Sequence, residues 1–214
     1  GYVPNMPGGE SVRVRNLADM SSGLSDYVKV QAVIDLLIQD PLGTPLPSQL
    51  IDPALAEGLH FVPGSEYEYC NTNTLILGQI LESVLRRPLG EILSDRIFRP
   101  LGMNNTFYLS GPDRPEPATQ GYVFENGNFE EVRLAHAYLG AAGALAGPLQ
   151  DARIWARALS FGSLISPALQ EERRRGRPAV NGPIYDSYGL GMGEVQGWLG
   201  HTGEGVGYAL GFFG

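Results

Sequence analysis

From Thr72 to Leu85 the chain places Leu75, Ile76, Leu77, Ile80, Leu81, Val84 and Leu85 on one broad apolar face, a spacing that predicts an amphipathic helix. Gly78 within it leaves room for a neighbour to pack closely. Other helical patterns surround this run. "VKVQAVIDLLIQD" repeats apolar residues at 30, 33, 34, 37 and 38, and "LGEILSDRIF" reads as a helix stopped by Pro100. Between them Pro41, Pro45 and Pro47 break the chain ahead of a short helix predicted over 50–57. Further on the period changes. Asn126-Gly127 in "GYVFENGNFEEV" is a hairpin-turn dipeptide. A helix is expected at 149–160, and "YDSYGLGMG", "VQGWLGHTG" and "GVGYALGFFG" read as strands. Helices first and strands last predict an α+β fold rather than alternating β-α-β units. The expected division is an opening loop over 1–14, a mainly helical domain over 15–135 and a partial α/β domain with an antiparallel sheet over 136–214.

Charge narrows the partners. The formal net charge of −8 and the absence of a basic patch disfavour nucleic acid and anionic membranes. No apolar run reaches the ~18 residues that span a bilayer. "ERRRGR" (172–177) reads as the solvated end of a helix. The single cysteine, Cys70, rules out an internal disulfide and a cysteine-rich metal site. His60 and His136 have no acidic or histidine residue at metal-ligand spacing, so neither a metal nor a cofactor is assigned.

Two short stretches could carry chemistry. In Tyr69-Cys70-Asn71, residues i and i+2 of an extended segment project to one side, so a phenol and an amide could share a cleft while Cys70 points to the core. The same stretch also fits an aromatic loop with Asn71 or Thr72 as helix N-cap. In Gly200-His201-Thr202-Gly203 a hydroxyl and an imidazole stand side by side and could bind a carboxylate, with glycines allowing another backbone to approach. A Gly-rich bend with a surface histidine is the alternative.

Together the two stretches resemble the serine β-lactamase and penicillin-binding family, and within it the class C β-lactamase, D-alanyl-D-alanine carboxypeptidase and esterase group. "VRVRNLADMSSGLSDY" is similar to the family segment ending in His-Thr-Ser-Gly-Leu, and "FVPGSEYEYCNTNTLILGQILESV" to its Phe-x-Pro-Gly and Tyr-Ser-Asn stretch. "IFRPLGMNNTFY" resembles its Pro-Leu-Gly-Met-x-x-Thr signature, and "GAAGALAGPLQDARIWARAL" its Ala-Gly-Gly-x-x-Ser-x-x-Asp segment. "YGLGMG" and "GWLGHTGEGVGY" resemble its last strands, with His-Thr-Gly in place of Lys-Thr-Gly.

The resemblance implies a helical domain beside an antiparallel sheet flanked by helices, and a cleft lined by Ser-x-x-Lys, Tyr-x-Asn and Lys/His-Ser/Thr-Gly. By position, Tyr69 would shuttle the proton of an acyl-enzyme reaction, and Asn71 would hold the substrate amide. His201 and Thr202 would bind a substrate carboxylate, and the N–H of Glu204, after Gly203, would be an oxyanion donor. Substrates would be β-lactams, D-alanyl peptides or small esters. Histidine in place of lysine weakens carboxylate binding at neutral pH and tilts the expectation toward carboxypeptidase or esterase. Family members are mostly exported, which the resemblance extends to this chain.

Ser-x-x-Lys is missing. Among 14 arginines there is one lysine, Lys29, and three residues before it stands Asp26. The expectation is an active serine hydrolase whose nucleophile, and part of whose sheet, lie outside these 214 residues, leaving a sheet edge open to self-association. A catalytically silent module that binds peptide or cell-wall fragments is the alternative. A cysteine hydrolase using Cys70 with His60, His136 or His201 is a third reading, set against Cys70 as a small buried hydrophobe. Ser21 and Ser22, before Gly23, are assigned to a turn.

Overall fold

The computed structural model describes all residues except 1, 2, 4, 114, 133, 134, 181–183 and 206. Parts of the opening loop, and Val206 in the last Gly-rich turn, therefore lie outside the described residues.

Helices dominate the first half: α1 (Val14–Ala18), α2 (Gln31–Gln39), α3 (Pro47–Ala56) and α4 (Asn71–Leu85). Helix α3 begins at Pro47 rather than after it, because a first-turn residue needs no N–H partner. Leu75 and Ile76 of α4 join Leu17, Leu24, Tyr27, Val33, Leu50 and Ile51 in the main core. The apolar face of α4 is only partly covered. Its far end, Leu81, Val84 and Leu85, is exposed, as is Ile38 of α2. Gly78 has the expected use: a Cβ there would lie 2.6 Å from the Cβ of Ala141.

Pro100 does not stop the next helix. Helix α5 (Leu89–Leu93) passes into one π-helical turn over Ser94–Phe98 and then α6 (Arg99–Leu101), with Pro100 in the first turn of α6. A wide turn ahead of the proline accommodates the N–H it lacks. The run ends at Gly102 in the left-handed conformation.

Short strands follow. β1 (Phe107–Tyr108) pairs with β4 (Leu145–Ala146). β2 (Tyr122–Glu125) and β3 (Asn128–Glu131) form the hairpin expected from Asn126-Gly127, both of which take positive φ. Helix α7 (Leu149–Phe161) and helix α8 (Pro167–Arg174) precede a five-stranded antiparallel sheet in the order β5 (Arg177–Pro178), β6 (Ser187–Tyr188), β7 (Gly193–Val195), β8 (Trp198–Gly205) and β9 (Tyr208–Phe213). Leu159 of α7 packs with Met192 and Leu199 under this sheet. Asp151 of α7 is buried and accepts hydrogen bonds from the Asn105 N–H (3.1 Å) and the Thr106 hydroxyl (2.9 Å), which ties the Pro-Leu-Gly-Met segment to the sheet layer.

Arg177 departs from the solvated reading. It donates to the carbonyls of Gly64 and Glu66 and pairs with Asp19, so it joins β5 to the loop that leads into α4. Among the described residues no helix is long and apolar enough to cross a membrane.

Candidate active site

The loop 57–70 delivers Tyr67 and Tyr69 to the sheet. It is laced to segment 20–26 by the His60 N–H to Gly23 carbonyl bond, the Glu68 N–H to Met20 carbonyl bond and a bridge between Leu24 and Leu59. Ser25 Oγ lies 2.8 Å from His60 Nε2, and His60 Nδ1 lies 2.8 Å from Glu68 Oε2. This resembles a hydrolytic relay, but Ser25 is 2% exposed and its hydroxyl is also within 3.2 Å of Glu57. The arrangement braces the loop.

Cys70 is buried and, rather than Asn71 or Thr72, holds the N-cap position of α4 without a side-chain capping bond; its thiol is directed to the Ser25 carbonyl at 3.5 Å. Burial pushes that thiol up to about 12, so it is no nucleophile near neutral pH. Ser21 and Ser22 are likewise buried and bonded to Asp19 and Asn73. Cys70 thus lies inward, as expected for the middle residue of Tyr69-Cys70-Asn71, with Tyr69 and Asn71 half-buried on either side of it.

Tyr69 reaches the sheet: its ring lies 5.9 Å from His201 and 6.0 Å from Tyr188. Asn71 is bonded to Asp26, whose charge also acts on Tyr69. Its backbone N–H and its Nδ2 donate to the two carboxylate oxygens of Asp26 at 3.1 and 3.0 Å. The carboxylate also faces the N-terminus of α4, where negative charge is favourable. Burial nevertheless raises the Asp26 pKa, against the lowering effect of these hydrogen bonds and of Lys29. Lys29 itself is exposed.

On β8, Gly200 is buried, and a Cβ there would strike the Phe212 carbonyl of β9 at 2.0 Å, so this glycine serves strand packing. His201 and Thr202 are half-buried, and Gly203 and Glu204 are exposed beyond them. Burial lowers the His201 pKa, which makes the imidazole neutral at pH 7. A neutral ring carries one N–H. Nδ1 lies 2.5 Å from the Thr202 carbonyl, which can only accept, so the proton is on Nδ1. Nε2 is then the acceptor, and the Tyr188 hydroxyl donates to it at 2.9 Å. Tyr185 completes the cluster, its hydroxyl 2.7 Å from the Thr202 nitrogen and 2.8 Å from Thr202 Oγ1.

Tyr67, Tyr69, Tyr185, Tyr188 and His201 form one aromatic cluster. The phenol of Tyr69 is raised well above its ordinary range by burial, then by Tyr185 and Asp26. The phenol is therefore protonated at neutral pH. Sequence reasoning missed Asp26, Tyr185 and Tyr188 as partners of the site. Tyr188 stood in the quoted "YGLG" segment, but nothing in spacing pairs Asp26 with a residue 45 positions away. Among the described residues no group of three or more His, Cys, Asp or Glu could hold a metal ion.

The beta-lactamase family model matches residues 1–214. The chain belongs to the beta-lactamase family. Its relatives include a D-aminopeptidase of Brucella anthropi, 42% identical over 104 residues, which cover 47% of this chain and 19% of that protein. A D-aminopeptidase of Cereibacter sphaeroides is 31% identical over 205 residues, covering 90% of this chain and 37% of that protein. Among solved structures, a D-stereospecific amidohydrolase from Streptomyces superposes with a TM-score of 0.82 at 28% identity, over 94% of this chain and 63% of that one. The chain thus spans less than two fifths of these curated relatives' length. It has the mixed helix and antiparallel-sheet architecture of the β-lactamase and transpeptidase fold.

Proposed function

We propose that the protein carrying these residues is an acyl-enzyme serine hydrolase of D-amino-acid derivatives, comprising D-aminoacyl amides, D-alanyl peptides and related small esters. The nucleophilic Ser-x-x-Lys is placed outside the 214 residues, because the one lysine has aspartate three positions before it. The observation that carries the reading is the contact of Tyr69 with His201, which brings the Tyr-x-Asn and His-Thr-Gly stretches together. The names of the two relatives and of the structural neighbour support an amide-type acyl donor.

In this scheme the serine oxygen bonds to the substrate carbonyl carbon as the bond to the leaving group breaks. The serine proton ends on the leaving atom, and water then releases the acid and restores the serine. Tyr69, being protonated, hands its proton to the leaving atom and takes that of the serine. Asn71, fixed by Asp26, positions the acyl amide or amine, and the Glu204 N–H is an oxyanion donor. Export from the cell, and self-association, belong to the same proposal.

Intact-mass spectrometry of the full-length protein after incubation with a D-phenylalanyl ester, followed by peptide mapping, tests it. An acyl adduct on a serine outside residues 1–214 is expected. An adduct on a serine within them overturns the placement of the nucleophile. No adduct and no turnover overturn the hydrolase reading in favour of a silent binding module.

A further inference from the structure

The imidazole nitrogens of His201 and the backbone nitrogen and hydroxyl of Thr202 all have partners among the described residues. Both imidazole nitrogens are taken, Nδ1 by the Thr202 carbonyl and Nε2 by Tyr188. The Tyr185 phenol oxygen lies within 2.8 Å of both the backbone nitrogen and the hydroxyl of Thr202, the place a carboxylate oxygen would need. Tyr185 is 4% exposed, with its ring 5.3 Å from His201 and 5.5 Å from Tyr188. Its seat is built into β7. A Cβ on Gly193 would lie 2.3 Å from the Tyr185 ring, so only glycine admits the ring there.

We propose that Tyr185 is a specificity-determining residue that occupies the carboxylate position at Thr202 and restricts the enzyme to acyl donors whose leaving group bears no carboxylate beside the scissile nitrogen. The proposal rests on the hydrolase reading above and deepens it. Ammonia and simple amines leave through such a site, whereas a C-terminal amino acid brings an anion to a Thr202 N–H that the Tyr185 oxygen already occupies. The covalent chemistry is unchanged: the C–N bond breaks as the serine ester forms, and the leaving nitrogen takes the proton.

The test measures kcat/KM of the full-length protein for D-alaninamide, D-alanyl-D-alaninamide and D-alanyl-D-alanine. The last two differ only in the carboxylate. The wild type is expected to prefer the amide of this pair at least tenfold. Y185F uncovers the Thr202 N–H and hydroxyl, and the preference should narrow by about tenfold, the effect of one hydrogen bond to a charged group. G193A displaces the ring without altering the phenol and should narrow it in the same direction. An equal rate for the two dipeptides in the wild type overturns the inference, as does an unchanged ratio in an active Y185F. Failure to turn over any of the three substrates, with no acyl adduct, instead overturns the hydrolase reading.

Discussion

Replacing Asp26 by alanine removes the carboxylate that accepts both the backbone N–H and the side-chain Nδ2 of Asn71. Each donor left without a partner costs about 1–3 kcal/mol when buried. Asn71 is only half-buried, so the low end applies, and the two together amount to about 2 kcal/mol. Against this stands the cost of holding a desolvated carboxylate, which is why the Asp26 pKa is raised. The sign follows from linkage. Between the ordinary aspartate value of about 3.9 and the raised folded value, the folded state binds more protons than the unfolded one. The contribution of Asp26 is therefore full below the ordinary value and is lost as pH rises through the folded one. Thermal melts of wild type and D26A from pH 4 to pH 8 check this. The deficit should be about 2 kcal/mol at the acid end, roughly 4–8 °C for a domain of this size, and smaller at pH 7. Other carboxylates titrate in both proteins and cancel in the difference. A deficit that grows with pH would show that hydrogen bonding to the carboxylate outweighs its desolvation, and the reasoning would fail.

Three further outcomes follow from the same contacts. Y69F removes the proton carrier of the proposed reaction and should lower kcat by about 10²–10⁴-fold with little change in KM, read in steady-state kinetics of the full-length protein. Cys70, buried and with a raised pKa, should resist iodoacetamide at pH 8 in the folded protein and react once it is denatured; rapid labelling of the native form would contradict its placement. G78A drives a methyl group into Ala141. It should destabilise by about 1–2 kcal/mol in denaturant melts, because overpacking exceeds the gain in helix propensity over glycine.

The sequence made the fold legible wherever a single element carries its own signal. The Thr72–Leu85 periodicity, the Asn126-Gly127 turn and the strand around His201 all correspond to observed elements. The family segments extended this, since Thr106 in the Pro-Leu-Gly-Met signature and Asp151 in the helical segment prove to be hydrogen-bonded to each other. What stayed hidden was pairing between distant stretches. Periodicity gives no sign that Asn71 would face Asp26, or that Tyr185 would sit on Thr202, because those contacts depend on how loops cross. Pro100 misled for a related reason: a local rule for helix ends gave way to a π turn just ahead of it.

Arg177 shows how the sheet places a residue of the opposite layer. Its guanidinium donates to the carbonyls of Gly64 and Glu66, both at 3.2 Å, and lies 3.4 Å from Asp19. The strand that carries it pairs with β6, which holds Tyr188 against Tyr67 and Tyr69. One side chain thus sets both the aromatic cluster on the sheet and the loop delivering Tyr69 in a common frame. The pair with Asp19 is mostly shielded, with side-chain exposures of 29% for Arg177 and 12% for Asp19, so losing the arginine leaves a carboxylate and two carbonyls short of donors. Nη1 bonds both carbonyls while Nη2 faces Asp19. Lysine could neutralise Asp19, but its ammonium is a single point charge and cannot serve the carbonyls and the carboxylate from two fixed nitrogens as the planar fork does. R177A should therefore lower both stability and kcat. R177K should recover most of the stability while kcat stays depressed by about tenfold or more, since small misplacements of a reacting group cost that much. Full recovery of kcat in R177K would mean that the charge on Asp19, and not the position of the loop, is what Arg177 supplies.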